Sequence, residues 1–326
     1  MVGKLIKMLA AASALLIGAP AAHAEQIVVS HYEAQFFGTP YAIAAAKGYF
    51  RDAGLKDVEI TGSSGGGTSV RNLMASGAIY AEVALAAAVS AIREGYPVKI
   101  VSPGADGHNS YWVTRPDTKL DGPEDLKGKR LAYTNPKSVT EGLARAFLEA
   151  TGLTEKDVKL VAIGGVGAGL TALEQNVVDV AILPEPTLSQ RMSMNPPPYK
   201  TEPWLNDLVP NFTQTVGIAP VEVIEKNPEK IQAVIDGRRK GVAFLYENPA
   251  EAGKIMSAVN GLSADENTQA IAGLRKISNK WWNAEGFNFD GMNATMKVMQ
   301  LASGGTGDEK IDWSSMIDDR FLAKHN

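Results

Sequence analysis

One stretch, Thr61-Gly62-Ser63-Ser64-Gly65-Gly66-Gly67-Thr68-Ser69-Val70, limits what this chain can fold into more than any other. An apolar run at 58–60 precedes it and reads as a strand, and residues 70–76 after it read as a helix. Three consecutive glycines let successive N–H groups turn toward one point without Cβ clashes. The helix start beyond them adds partial positive charge. A strand, a glycine turn and a helix in this order predict a β/α unit with a cradle for an anion or polar ligand. The same residues also read as a plain flexible loop. Gly62 and Gly67 have the spacing of a phosphate loop and Ser69 could supply its hydroxyl, but Thr68 stands where the lysine is needed. Nucleotide triphosphate chemistry is therefore not expected.

The rest of the chain continues the β/α rhythm. Strands are expected at 26–31, 58–60, 82–85 and 98–102, with helices from Pro40, over 70–76 and over 86–94. The rhythm breaks at the turn-rich Asp106-Gly107-His108-Asn109 and the extended 110–114, then resumes. A second series follows: a strand at 130–133 with a polar loop to Thr140, a helix closed by Gly152, a strand at 158–163, the glycine loop 164–169, and a strand ending in Pro184-Glu185-Pro186. The two halves echo each other in their order of strand, glycine loop, helix and strand. Both place polar loops at the carboxyl ends of strands, where open α/β sheets bind ligands. The second glycine loop fails the dinucleotide pattern in one frame, because Leu170 stands at the third glycine. The looser frame from Gly167 to Ala172 lacks a clear acidic partner about twenty residues on. A strand at 213–219 and helices at 228–247, 249–259, 264–277, 292–302 and 312–322 complete the reading. Trp281, Trp282, Phe287 and Phe289 are expected to pack rather than to bind.

Composition sets the address. Lys4 and Lys7, the apolar residues 8–19 and Ala22-His23-Ala24 read as an export signal cut after Ala24. The mature chain then keeps 30 basic and 36 acidic residues, a formal charge of −6, which gives no reason to bind nucleic acid. The chain has no cysteine, so disulfides, thiolate catalysis and a lipid-modified N-terminal cysteine are all excluded. With four histidines, one of them in the leader and one at position 325, no metal spacing and no Ser-His-Asp pattern is evident. No cofactor and no metal are expected.

Several blocks together carry a family resemblance: Pro40-Tyr41-Ala42 with Lys47-Gly48-Tyr49-Phe50, then Gly65-Gly66-Gly67, Leu73-Met74-Ala75-Ser76-Gly77, Asp125-Leu126-Lys127-Gly128-Lys129-Arg130 and Val178-Asp179-Val180-Ala181. The chain resembles the periplasmic solute-binding proteins of ABC importers for nitrate, sulfonates, taurine and pyrimidine precursors. It departs from many of them near Tyr80-Ala81-Glu82, where an aspartate is common. The resemblance implies a two-lobed, type II-like α/β fold, each lobe a mainly parallel sheet flanked by helices, with the ligand between the lobes. On that basis residues 1–24 are the signal and 25–110 the first part of lobe 1. Residues 111–215 are lobe 2, and 216–326 return to lobe 1 and supply the C-terminal helices. Extended stretches at 110–114 and 213–219 are expected to form the hinge. A monomer serving a membrane permease is expected in the periplasm. Two alternatives stand beside this reading: a cysteine-independent enzyme on the same fold, and a ligand-sensing module for a membrane partner.

The ligand-binding residues expected from strand ends are His31, Tyr32, Phe36, Ser64, Gly65, Gly66, Gly67, Thr68, Ala86, Asn135, Ser138, Thr140, Gly165 and Glu185. Each has a plainer reading. His31 reads equally as a capping histidine, Phe36 and Phe37 as core, Ser138 and Thr140 as helix caps. Glu185 reads as the receiver of a cationic or hydroxyl group, or as one half of an ion pair. The favoured ligand is a small anion held by neutral donors; a neutral or cationic ligand on Glu185 and the aromatics is the rival.

Overall fold

The computed structural model describes residues 24–208 and 211–322. Most of the expected leader therefore lies outside the described residues. Among the described residues ten strands form two five-stranded sheets. The first contains β1 (Glu25–Ser30), β2 (Val58–Ser63), β3 (Tyr80–Ala84), β4 (Val98–Pro103) and β10 (Thr215–Pro220), in the order β2-β1-β3-β10-β4. The second contains β5 (Ser110–Thr114), β6 (Arg130–Tyr133), β7 (Lys159–Ala162), β8 (Val180–Pro184) and β9 (Lys200–Thr201), in the order β7-β6-β8-β5-β9. In each sheet four strands run in one direction, and the strand that follows a passage between the lobes runs against them: β10 between β3 and β4, and β5 between β8 and β9. Ile27, Val28 and Val29 on β1 are at most 1 % exposed. Helices cover both faces there, so a continuous apolar run rather than an alternating one makes the strand.

Of the stretches expected to be the hinge, 110–114 lies beside its passage, whereas 213–219 overlaps the second one at Thr213 and Gln214. Residues 110–114 and 215–220 are ladder strands of the two sheets. Their β-branched and aromatic residues complete pairing better than they bend. The chain instead crosses at 104–109 and just before Thr215, where the two segments bond to each other. The Gly107 N–H donates to the Phe212 carbonyl at 2.6 Å and the Gln214 N–H to the Ala105 carbonyl at 2.7 Å. The Thr213 hydroxyl donates to Asp106 Oδ1 at 2.5 Å. A Cβ on Gly104 would sit 2.5 Å from the Thr215 carbonyl oxygen, so the close approach of the two segments requires glycine there.

A third element spans the lobes. In the helix Phe289–Ala302, capped by the Asn288 side chain, Met292 and Met296 join the first lobe's core and Val298 joins the second's. Lys297 pairs with Glu149 at 2.9 Å across that contact. The C-terminal segment forms a single 3-10 turn, Trp313–Ser315, rather than a helix over 312–322. The reason is a competing ladder: the Ile100 N–H donates to the Met316 carbonyl and the Asp318 N–H to the Ile100 carbonyl, so this segment lies along β4.

The first lobe also encloses a polar network. Glu82 is fully buried and meets Arg238 Nε at 3.1 Å, the Tyr41 hydroxyl at 2.7 Å and the Thr215 hydroxyl at 2.7 Å. Arg238 also donates to the carbonyls of Gly104, at 2.9 Å, and Asn283.

Candidate functional site

A cavity of about 500 Å³ opens between the lobes at the carboxyl ends of their parallel strands. The first lobe contributes Ser30, His31, Gln35, Phe37, Ala84 and Ala86. The second contributes Thr134, Asn135, Ser138, Thr140, Gly165 and Pro184. The passages add His108, Asn109, Phe212, Gln214 and Thr215. Three helices start at its wall: Leu85–Arg93 after Ala84, Val139–Thr151 after Ser138, and Val166–Glu174 after Gly165. β3 runs directly into its helix, and short loops follow β6 and β7, so first-turn N–H groups and partial positive charge gather at the strand ends.

Among the described residues the lining carries no lysine, arginine, aspartate or glutamate. Its two titratable groups are His31 and His108, and burial lowers both pKa values. His108 Nδ1 donates to the Ser110 carbonyl at 2.6 Å, which leaves Nε2 as the acceptor nitrogen of the neutral ring. A relay of amides crosses the floor. Gln214 Nε2 donates to Asn109 Oδ1 at 3.0 Å, and Asn109 Nδ2 donates to Gln35 Oε1 at 3.0 Å. Gln214 Oε1 is buried with no partner among the described residues. Hydroxyls cluster at both lobes' strand ends. Ser69 joins Ser30 (2.5 Å) and Ser63; Thr140 joins Thr134 (2.7 Å) and Ser138 (2.8 Å). Ser138 also accepts from the Glu141 N–H, so it caps its helix as well as facing the cavity.

Of the residues expected from sequence, the cavity brings together His31, Ala86, Asn135, Ser138, Thr140 and Gly165. Gly65 stands just behind, where a Cβ would lie 3.9 Å from His31 Nε2. Gly66 begins the helix Gly66–Ser76, and Ser64, Gly67 and Thr68 do not line the cavity. The reason is strand order: β2 is the edge of its sheet, separated from the passage strand β10 by β1 and β3. Tyr32 packs against the backbone of Gly38, and Phe36 is 1 % exposed in the core, its carbonyl accepting from Trp282 Nε1 at 2.7 Å. Phe37 lines the cavity in its place, stacked on Trp281. Glu185 faces a different cavity of about 770 Å³, where its carboxylate accepts from the Ser189 N–H (3.1 Å) and hydroxyl (3.0 Å). His108, Asn109 and Gln214 escaped the sequence reading, although the polar runs at 106–110 and 213–215 mark them.

Two α/β lobes joined by paired passages, with a cavity between their strand ends, make this a periplasmic binding protein fold. The family described as NMT1/THI5 like matches residues 35–252, about two thirds of the chain, and the chain belongs to it. Solved structures agree on the fold. The periplasmic aliphatic sulphonate binding protein SsuA of Escherichia coli superposes with a TM-score of 0.71 at 14 % identity, covering 93 % of this chain and 94 % of that one. A Candida albicans protein, described as having the generic periplasmic binding protein structural fold, gives 0.64 at 14 % identity, covering 93 % and 99 %. The periplasmic nitrate-binding protein NrtA of Synechocystis gives 0.58 at 16 % identity, covering 86 % and 80 %. No curated protein sequence matches the chain.

Proposed function

We propose that this protein is the periplasmic solute-binding component of an ABC importer, working as a monomer with a membrane permease after export and cleavage at Ala24. Its ligand is a small organic anion, a sulfonate or carboxylate, held in the interlobe cavity. The observation that carries this reading is the convergence of three helix starts on a cavity whose lining has no fixed charge. A helix start favours an anion by about 0.3–1 kcal/mol when exposed and up to about 2 kcal/mol when partly buried. Hydrogen bonds to a charged acceptor are worth about 1.5–3 kcal/mol each. A few of these reach the roughly −8 kcal/mol of micromolar binding after association costs. Phe37, Leu143, Val166 and Phe212 on the walls suit an organic body, and the volume exceeds the needs of a bare inorganic anion.

The test is a thermal-shift screen of the mature protein against alkanesulfonates, carboxylates, nitrate and alkylammonium ions, followed by solution scattering. An organic anion should raise the melting temperature, and saturation should shrink the radius of gyration as the lobes close. Stabilisation by none of the anions, or an unchanged radius at saturation, sinks the reading.

The two histidines add a pH signature. Their lowered pKa values mean that this contribution to ligand-free stability is complete above the ordinary value of about 6.5 and is lost as the pH falls through the folded values. An anion beside them reverses that cost. Between pH 7 and pH 5 the ligand-free melting temperature should fall while the increment given by the anion grows. Each proton taken up on binding is worth about tenfold in affinity per pH unit. An increment that stays flat across this range would place the anion away from both rings.

A further inference from the structure

The larger cavity lies between the helix Ala264–Ile277, which packs into the first lobe's core, and the helix Thr187–Met192 of the second lobe. It shares only His108 with the lining of the first cavity. We propose that it is a second solute site, for a small ligand whose ammonium group pairs with Glu185.

Glu185 is 3 % exposed, and among the described residues both hydrogen bonds to its carboxylate come from Ser189. Among the described residues no cationic nitrogen lies within 4.0 Å of it. A buried carboxylate without a cation is costly, and a ligand ammonium relieves that cost. The surroundings make room for the carboxylate. A Cβ on Gly273 would come within 2.8 Å of Glu185 Oε1, so the facing helix presents bare backbone at this point. Tyr111 stands beside it, its hydroxyl donating to the Gly273 carbonyl at 3.4 Å. Burial, and then the charge of Glu185, raise the phenol's pKa, so it remains a neutral donor. Tyr111 and Leu188 offer apolar wall, and the formal charges of the lining are Glu185 and Asp207 against Lys276. The balance is one negative charge, which suits a monocation. Burial also raises the Glu185 pKa, so binding an ammonium should release protons and strengthen with pH.

The experiment uses n-butylammonium as probe, with 1-butanol as its uncharged control and butanesulfonate as the probe for the first cavity. Butylammonium should stabilise the mature protein and butanol should not. Glu185→Gln keeps an acceptor for Ser189 and should weaken butylammonium binding at least tenfold. Lys276→Gln removes a competing positive charge and should tighten it severalfold. Saturating butanesulfonate should not displace butylammonium. The proposal is overturned if butylammonium fails to bind, if Glu185→Gln binds it normally, or if the two probes compete. Should Glu185→Gln not fold, Lys276→Gln decides: no tightening overturns it. A failure of butanesulfonate alone bears on the anion reading and leaves these outcomes unchanged.

Discussion

Gly165→Asp should cost roughly a thousandfold in anion affinity while the protein melts no lower than wild type. Gly165 caps the helix Val166–Glu174 without a side chain, in an extended conformation (φ 172°, ψ 169°) open to any residue. A Cβ built there meets no heavy atom within 4 Å. Aspartate is a preferred N-cap, worth a few tenths of a kcal/mol over glycine, so the fold gains slightly. The new carboxylate, however, takes up first-turn N–H groups at the cavity wall and places like charge beside the ligand. At about 4 Å and an effective dielectric constant near 20, that repulsion is about 4 kcal/mol, which is roughly a thousandfold. Gly165→Asn is the control, close in shape and uncharged, and should keep most of the affinity. Calorimetric titration with the tightest anion of the screen measures both. Equal affinities for the two variants would mean that the ligand's charge does not lie at this helix start.

The largest effect on stability is expected at Arg238. Replacing it with Leu leaves Glu82 fully buried with only the Tyr41 and Thr215 hydroxyls. Removing one partner of a buried pair costs about 3–5 kcal/mol, because the remaining charge is uncompensated. At about 2–4 °C per kcal/mol for a large domain, the melting temperature should fall by roughly 10 °C. The same change takes from the Asn283 carbonyl its Arg238 donor and leaves the Gly104 carbonyl, at the first passage, with the Asn283 N–H alone. Adding Glu82→Gln to Arg238→Leu removes the stranded charge and should recover part of the loss. A single variant within about 1 kcal/mol of wild type in denaturant unfolding would show that the pair is dispensable.

The β/α alternation, both glycine loops and the six strand-end residues that meet at the cavity were legible because each is a local signal. Gly65 and Gly165 both become N-caps of the helices that follow, as their composition suggests. What was not legible depends on non-local pairing. The loop at 61–70 carries the strongest local signal, yet with β2 at the sheet edge it reaches the cavity only from behind, through Ser63 and Gly65 beside His31 and Ser69 beside Ser30. Which of two adjacent phenylalanines faces the cavity is decided by one 3-10 turn, Phe36–Gly38, that sequence spacing does not encode. The first passage sits beside its predicted position and the second takes in only the first two residues of 213–219, because an extended, apolar pattern marks a strand wherever a neighbour is available. Only the finished sheet order shows that one was.

The placement of β10 has a consequence for how the chain is made. In the finished sheet β4 has no ladder partner among the named strands except β10, which also lies between it and β3. The whole second sheet is encoded between those two strands. A chain emerging from its N-terminus therefore holds β4 without its ladder, and β3 with one open edge, until residues 215–220 appear. During that interval the second lobe's sheet can form from contiguous sequence, whereas the first must wait. The lobe whose sequence begins first is thus the one whose sheet is finished last, and pairings that bridge so much intervening chain are intrinsically slow.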